Sequence, residues 1–256
     1  MIKILLSGCN GRMGRWISEM CIKKNDIEIV AGIDLYTEQK YGYPVYACFN
    51  DVTVIPDVII DFSNPKVLPG LLSYAVSNNI PAVICTTGYS EDDITAINEA
   101  SKSVPIFRSG NMSLGINVLM MLAKKATQIL GASFDIEIIE RHHNQKLDAP
   151  SGTAIMLADS VESALEYQAE RVYDRHSVRA KRAYNEIGMH SVRGGTIVGE
   201  HEVIFAGENE TIELSHSAQS REVFAAGAVK AAIYLSGITK AGLYNMDDLI
   251  NSCVQL

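Results

Sequence analysis

The sequence predicts an α/β chain in two parts, a doubly wound parallel sheet followed by a second α/β domain on a mixed or antiparallel sheet. Three observations carry that expectation. Short β-branched runs alternate with helix-like segments through the first half, the pattern of buried parallel strands and their crossover helices. A glycine-rich turn joins the first run to the first helix. Beyond residue 113 the strand-like runs instead alternate apolar and polar positions between glycine turns, as in a half-exposed sheet. At 256 residues, and roughly 100–200 residues per domain, the chain has room for two modest cores.

In order, Ile2–Ser7 reads as a buried strand, and Arg15–Lys24 has helical spacing with Ile17, Met20 and Cys21 on one face. Further strands are expected at Ile27–Ile33, Val58–Asp61, Ala82–Thr86 and Val104–Phe107, with helices at Val67–Asn78 and, after an N-cap at Ser90, Asp92–Lys102. One long helix is expected over Ile116–Ile129, then a strand over Phe134–Arg141 and a polar loop leading to a helix capped by Ser151. Residues 167–189 read as polar and irregular, with Arg171, Arg175, Arg179, Lys181 and Arg182. Thr196–Val203 and Thr211–Ser217 are strand-like. An alanine-rich helix, Phe224–Leu235, closes the chain and is expected to pack back on the first domain. The expected division is 1–112 with 222–256, and 113–221.

Composition excludes several function classes. Lys and Arg total 22 against 30 Asp and Glu, a formal charge of −8, which argues against nucleic acid or an anionic membrane as partner. No apolar run reaches the ~18 residues of a membrane span, and the N-terminus lacks the h-region of a secretory signal. The five cysteines are scattered without a C-x-x-C pair, which disfavours a disulfide framework or zinc site and favours a reducing, cytoplasmic setting.

The glycine turn is Gly8-Cys9-Asn10-Gly11-Arg12-Met13-Gly14, a G-x-x-G-x-x-G relative of the dinucleotide fingerprint. Glycines let the backbone approach a pyrophosphate held at the helix N-terminus, and Asp34 stands where an acid takes the ribose hydroxyls. The first domain is therefore Rossmann-type. A carboxylate at Asp34 repels a 2′-phosphate, and Leu35 and Tyr36 add no cation, which favours NADH. Arg12 leaves NADPH open. Cys85-Thr86-Thr87-Gly88 and Phe62-Ser63-Asn64-Pro65 follow strand ends, where ligands of open α/β sheets bind.

The densest chemistry is Glu140-Arg141-His142-His143-Asn144-Gln145-Lys146-Leu147-Asp148-Ala149-Pro150-Ser151-Gly152-Thr153. A histidine exchanges protons near neutral pH, and a lysine beside a helix N-terminus with open Gly152 and Thr153 amides makes a carboxylate clamp. Adjacent strand histidines point to opposite faces, so one of the pair faces a given site. A His-His pair with Glu140 lacks a third ligand at metal spacing, and no metal is expected. Proton transfer to an anionic substrate is the reading. A semialdehyde or homoserine dehydrogenase, the former with Cys85 as nucleophile, and a non-enzymatic nucleotide sensor remain as alternatives.

These motifs, with Glu137 to Ala154 and Val192-Arg193-x-Gly195 followed by Val198-Gly199-Glu200-His201, resemble the 4-hydroxy-tetrahydrodipicolinate (dihydrodipicolinate) reductase family of the diaminopimelate–lysine pathway over nearly the whole chain. The resemblance implies a two-domain homotetramer, with the second domain's sheet building the oligomer, that reduces a small cyclic dicarboxylate with NADH or NADPH. The nicotinamide is expected to reach the cleft between the domains. His142 looks like the proton donor and Lys146 like the second catalytic group. His143, Gly152, Thr153 and Arg221 are implied to bind substrate. Gly8, Cys9, Asn10, Gly11, Arg12, Met13, Asp34, Cys85, Thr86, Thr87, Ser109, Gly110, Asn111 and Met112 are implied to contact the cofactor. The chain departs from the family at Cys85, often glycine, at Met112, often phenylalanine, and at Leu35, often an arginine in NADPH-using relatives. Met112 can still pack its polarizable thioether on a nicotinamide face.

Overall fold

The computed structural model describes residues 1–254. The chain divides into two compact units, Met1–Leu114 with Glu222–Leu256, and Gly115–Arg221.

In the first unit, β1 (Ile2–Ser7), β2 (Ile27–Ile33), β3 (Val45–Tyr46), β4 (Val58–Asp61), β5 (Ala82–Ile84) and β6 (Pro105–Arg108) alternate with α1 (Arg12–Ile22), α2 (Leu68–Asn78) and α3 (Glu91–Ala100). With β12 (Gly242–Tyr244) they form one seven-stranded sheet in the order β12-β6-β5-β4-β1-β2-β3, and every pairing is parallel. A strand of period two with apolar residues at every position must be covered on both faces, and the core separates accordingly. Ile4, Leu6, Val58 and Ile60 pack with α1 and the helix α6 (Glu222–Ser236). Leu5 and Ile59 pack on the other side with Leu68, Leu71 and Leu72 of α2 and Ile97 of α3. Ser90 caps α3 through a capping box with Asp93.

Helix α6 lies across β1, β4, β5 and β6, as expected from its alanines. At Gly227 it comes so close that a Cβ would collide with the Met112 carbonyl oxygen. The chain does not close there: β12 and α7 (Met246–Val254) follow, and Met246 and Leu249 enter the same core. Neither was expected from the sequence; a three-residue edge strand such as β12 is defined by its partner rather than by its own pattern.

The second unit carries β7 (Asp135–His142), β8 (Glu170–Val172), β9 (Glu186–Arg193), β10 (Glu200–Ala206) and β11 (Thr211–Ser217) in the order β11-β10-β7-β9-β8. The sheet is mixed: β10 is antiparallel to β7 and β11, and β9 parallel to β7 and β8. One face packs on α4 (Leu114–Leu130) and α5 (Gly152–Glu162), with Ile136 and Ile138 against Leu119, Ala154 and Leu157.

The expectation that 167–189 is irregular needs correcting at both ends, where β8 and the start of β9 lie. Three of the arginines of this stretch are braces. Arg171 pairs with Glu162 and Asp159, Arg175 with Glu186, and Arg182 with Asp135 and Glu137. The strand expected from Thr196 begins only at Glu200, because a glycine turn (Gly195, φ +48°) precedes it.

Candidate active site

The glycine loop fits a dinucleotide by what it leaves out. Gly8 has φ +77°, and a Cβ there would lie 2.5 Å from the Phe62 carbonyl oxygen. A Cβ at Gly14 would lie 2.3 Å from the Gly8 carbonyl oxygen, so α1 packs directly on the loop. Helix α1 is entered from Gly11 with no side-chain cap, the arrangement in which a pyrophosphate takes the capping role. Asp34 stands at the end of β2 and accepts from the Asn10 amide at 3.0 Å and the Tyr36 amide at 3.1 Å. It therefore braces the loop as well as facing the cavity. That cavity, about 420 Å³, is lined by Gly8, Gly11, Asp34, Leu35, Ser63 and Lys66 among others. Lys66 is a cation that the sequence reading passed over, although it follows directly on the Phe62–Pro65 strand end.

Other expected cofactor residues divide by what is left to offer. Arg12 is exposed and Met13 half-buried at the start of α1. Cys9 is fully buried in the core, with its sulfur against Gly32, so only its backbone faces the loop. Thr86 donates its hydroxyl to the buried Asp61 at 2.6 Å, and Ser63 does the same at 2.5 Å. Burial raises the Asp61 carboxyl, and these hydroxyl donors oppose the rise. Thr87 is exposed beyond β5, and Gly110 is exposed beyond β6. Ser109 donates to the Asn111 carbonyl at 2.9 Å, and Asn111 accepts from the Ser113 amide at 2.8 Å. The side-chain role expected of Met112 is corrected: its thioether is 4% exposed and belongs to the core of the first unit. Cys85 is also corrected as a nucleophile. Burial pushes its thiol well up and Asp61 adds to the rise, so it carries no thiolate near neutral pH.

The second cluster lies wholly in the Gly115–Arg221 unit. Strand β7 puts Ile136, Ile138, Glu140 and His142 on one face by its period of two, with the last two at the open end. The His142 Nδ1 lies 2.5 Å from Glu140 Oε2. Arg193, on the neighbouring β9, donates to both carboxylate oxygens at 2.8 and 2.7 Å, and the Ser151 amide donates to Oε1 at 3.1 Å. Burial pushes the Glu140 carboxyl up, but Arg193 first and His142 next outweigh it and bring it down to about 2. Burial lowers the His142 imidazole against the opposing pull of Glu140. His201, from β10, stacks edge-on with ring centroids 5.2 Å from His142 and holds Ser151 Oγ at 3.0 Å. Burial and then His142 bring it down to about 4.

Ser151 caps α5 as expected, accepting from the Ala154 amide at 3.2 Å. The clamp itself is not open. Lys146 Nζ is 2.9 Å from Asp148 Oδ1, and the nearby Gly152 amide joins Lys146 in lowering the Asp148 carboxyl. An internal carboxylate thus sits where the sequence reading left room for a substrate's, because Asp148 is held over the helix N-terminus by the short turn between Lys146 and Ser151. Thr153 is half-buried in the first turn. His143 lies beyond the strand end, its Nε2 3.4 Å from an Arg221 nitrogen. Glu140 and Arg193 were visible as motif letters without a role. Period two places Glu140 beside His142, whereas nothing local brings Arg193 to them.

The family model for dihydrodipicolinate reductase, N-terminus, matches residues 2–112, and that for its C-terminus matches residues 115–250. The chain belongs to the dihydrodipicolinate reductase family. It is 52% identical over 250 residues to a 4-hydroxy-tetrahydrodipicolinate reductase of Caldanaerobacter subterraneus subsp. tengcongensis, covering 98% of each chain. The same figures hold for a 4-hydroxy-tetrahydrodipicolinate reductase of Clostridium botulinum. Among solved structures, the dipicolinate-bound dihydrodipicolinate reductase of Paenisporosarcina sp. TG-14 superposes with a TM-score of 0.79 at 26% identity, covering 96% of this chain and 97% of that one. A myo-inositol 2-dehydrogenase of Lactobacillus plantarum shares the fold at 14% identity and a TM-score of 0.63, with 97% and 93% covered. The family's members are pyridine nucleotide-dependent oxidoreductases with a Rossmann unit, as this chain has.

Proposed function

We propose that this chain reduces 4-hydroxy-tetrahydrodipicolinate to tetrahydrodipicolinate in diaminopimelate and lysine biosynthesis, with the first unit binding the dinucleotide and the second the substrate. The carrying observation is the buried Glu140–His142 pair next to Lys146 and the N-terminus of α5. Bound NAD(P)H supplies the hydride. His142 supplies the proton that completes the reduction as water leaves. Lys146, the Gly152 and Thr153 amides, His143 and Arg221 hold the two carboxylates, with Asp148 displaced from the clamp. The dipicolinate bound in the Paenisporosarcina reductase structure supports that substrate class.

Asp34 with Leu35 and Tyr36 favours NADH, and Lys66 on the same cavity is the cation that admits NADPH. The outer face of the mixed sheet presents Glu137, Ile139, Arg141, Glu202 and Ile204, half-buried and available to a homotetramer. Cytoplasmic residence is supported by cysteines that are all free. Among the described residues no helix is long and apolar enough to cross a membrane.

The test is coupled oxidation of NADH and of NADPH, followed by the loss of nicotinamide absorbance, with substrate made in place by the synthase that precedes this step. Turnover with either coenzyme is expected, faster with NADH. Absence of turnover with both overturns the reading.

A further inference from the structure

Glu140 is 1% exposed, yet it is a carboxylate with both oxygens engaged. Arg193 grips both oxygens, and the Ser151 amide takes one of them from the other side of the loop. Arg193 is itself tied to the Asp148 carbonyl at 2.5 Å. Two parallel guanidinium bonds fix the plane of a carboxylate as well as its charge. An ionised carboxylate can only accept, so the hydrogen in its 2.5 Å contact with His142 Nδ1 belongs to the imidazole. Neutral His142 then carries its lone pair on Nε2, and protonated His142 has its transferable proton there. The Nε2 edge faces Gly199, where a Cβ would stand only 3.0 Å away, so the space beside that atom depends on the missing side chain.

We propose that Glu140, clamped by Arg193, is the positioning residue that holds His142 in its Nδ1–H form, directs proton exchange through Nε2, and supports the imidazolium formed in the cycle. This rests on the reading of His142 as proton donor. The groups facing the ring are Glu140 on its own strand, Arg193 from β9, His201 from β10 and Lys146 from the following loop. The first favours the imidazolium, and the two cations oppose it.

A buried ion pair is equally able to serve the fold alone, so the test needs a readout that packing does not move. Long-range nitrogen–proton correlation spectra of the 15N-histidine-labelled wild-type protein at neutral pH report the tautomer directly. The expected result is Nδ1–H with a bare Nε2 for His142, assigned by its loss in His142→Gln. Finding Nε2–H in the wild type overturns the proposal, and this measurement needs no substitution at Glu140.

Glu140→Gln is expected to release the tautomer, to lower kcat at least about tenfold but no further than His142→Gln, and to leave the KM for NADH unchanged. It also moves the imidazole limb of the kcat–pH profile to lower pH, since the anion that favours the imidazolium is gone. The double variant is expected to be no slower than His142→Gln, because the two residues act as one unit. Arg193→Lys, which keeps a cation on Glu140, retains the tautomer and is expected to keep more turnover than Glu140→Gln. If Glu140→Gln keeps wild-type kcat and pH profile while His142→Gln is crippled, the positioning role falls and the proton-donor reading stands. If His142→Gln turns over normally, the proton-donor reading falls whatever the tautomer shows.

Discussion

His142, Lys146 and Asp148 carry separable consequences. General acid catalysis is worth about 10²–10⁴ in rate, so His142→Gln is expected to lower kcat by that range with nucleotide affinity unchanged, as read by steady-state kinetics and nucleotide titration. Lys146→Ala removes a cation that meets the substrate in both ground and transition states, so it raises the substrate KM as well as slowing turnover. Asp148→Asn has the opposite sign on binding. Its carboxylate now occupies Lys146 and the α5 N-terminus, and removing that competing charge is expected to lower the substrate KM severalfold. An unchanged KM places the substrate carboxylate elsewhere. The histidine, the lysine and the cap at Ser151 were readable in the sequence because each is local to fifteen residues. Asp148 stood in the same motif, but its place on the clamp depends on the path of the loop.

Helices α1 and α3 separate a packing contact that shapes the nucleotide site from a cap that serves the fold alone. Helix α1 leans on the loop through Gly14, where a methyl would sit 2.3 Å from one carbonyl oxygen and 2.4 Å from another. Gly14→Ala is therefore expected to push α1 outward, to cost about 1–3 kcal/mol by urea denaturation, and to weaken NADH binding at the same time. Ser90→Ala removes one half of the capping box of α3. It is expected to cost about 1 kcal/mol by urea denaturation with kcat and KM unchanged, since Ser90 and Asp93 spend their side chains on each other and neither lines the nucleotide cavity. Strands β1, β2 and β4 were readable end to end because strands buried on both faces write themselves as near-continuous apolar runs, interrupted on the exposed side only at Lys3 and Glu28. The short edge strands β3, β8 and β12 were not, since pairing with a neighbour is what makes them strands.

Acid is expected to weaken the second unit in two stages. His201 is a base whose folded value, about 4, is depressed from an ordinary 6.5, so the unfolded chain takes up its proton first. Its contribution, about 3 kcal/mol at most, is complete above pH 6.5 and is lost as the pH falls towards 4. Glu140 is an acid lowered from 4.5 to about 2, so its contribution is complete above pH 4.5 and fades below it. Denaturation midpoints should fall steadily below pH 6.5, and a flat profile down to pH 4.5 would contradict the buried neutral His201. Local chemistry was open to reading from residue order alone: a glycine turn that admits no Cβ, a histidine and lysine before a capped helix, and runs whose period reports burial. These follow from backbone geometry over a few residues. The sheet order, the grip of Arg193 on Glu140 across 53 positions and the presence of Asp148 on the clamp required the folded chain. Contacts between distant segments are set by how the cores close, and no local period encodes them.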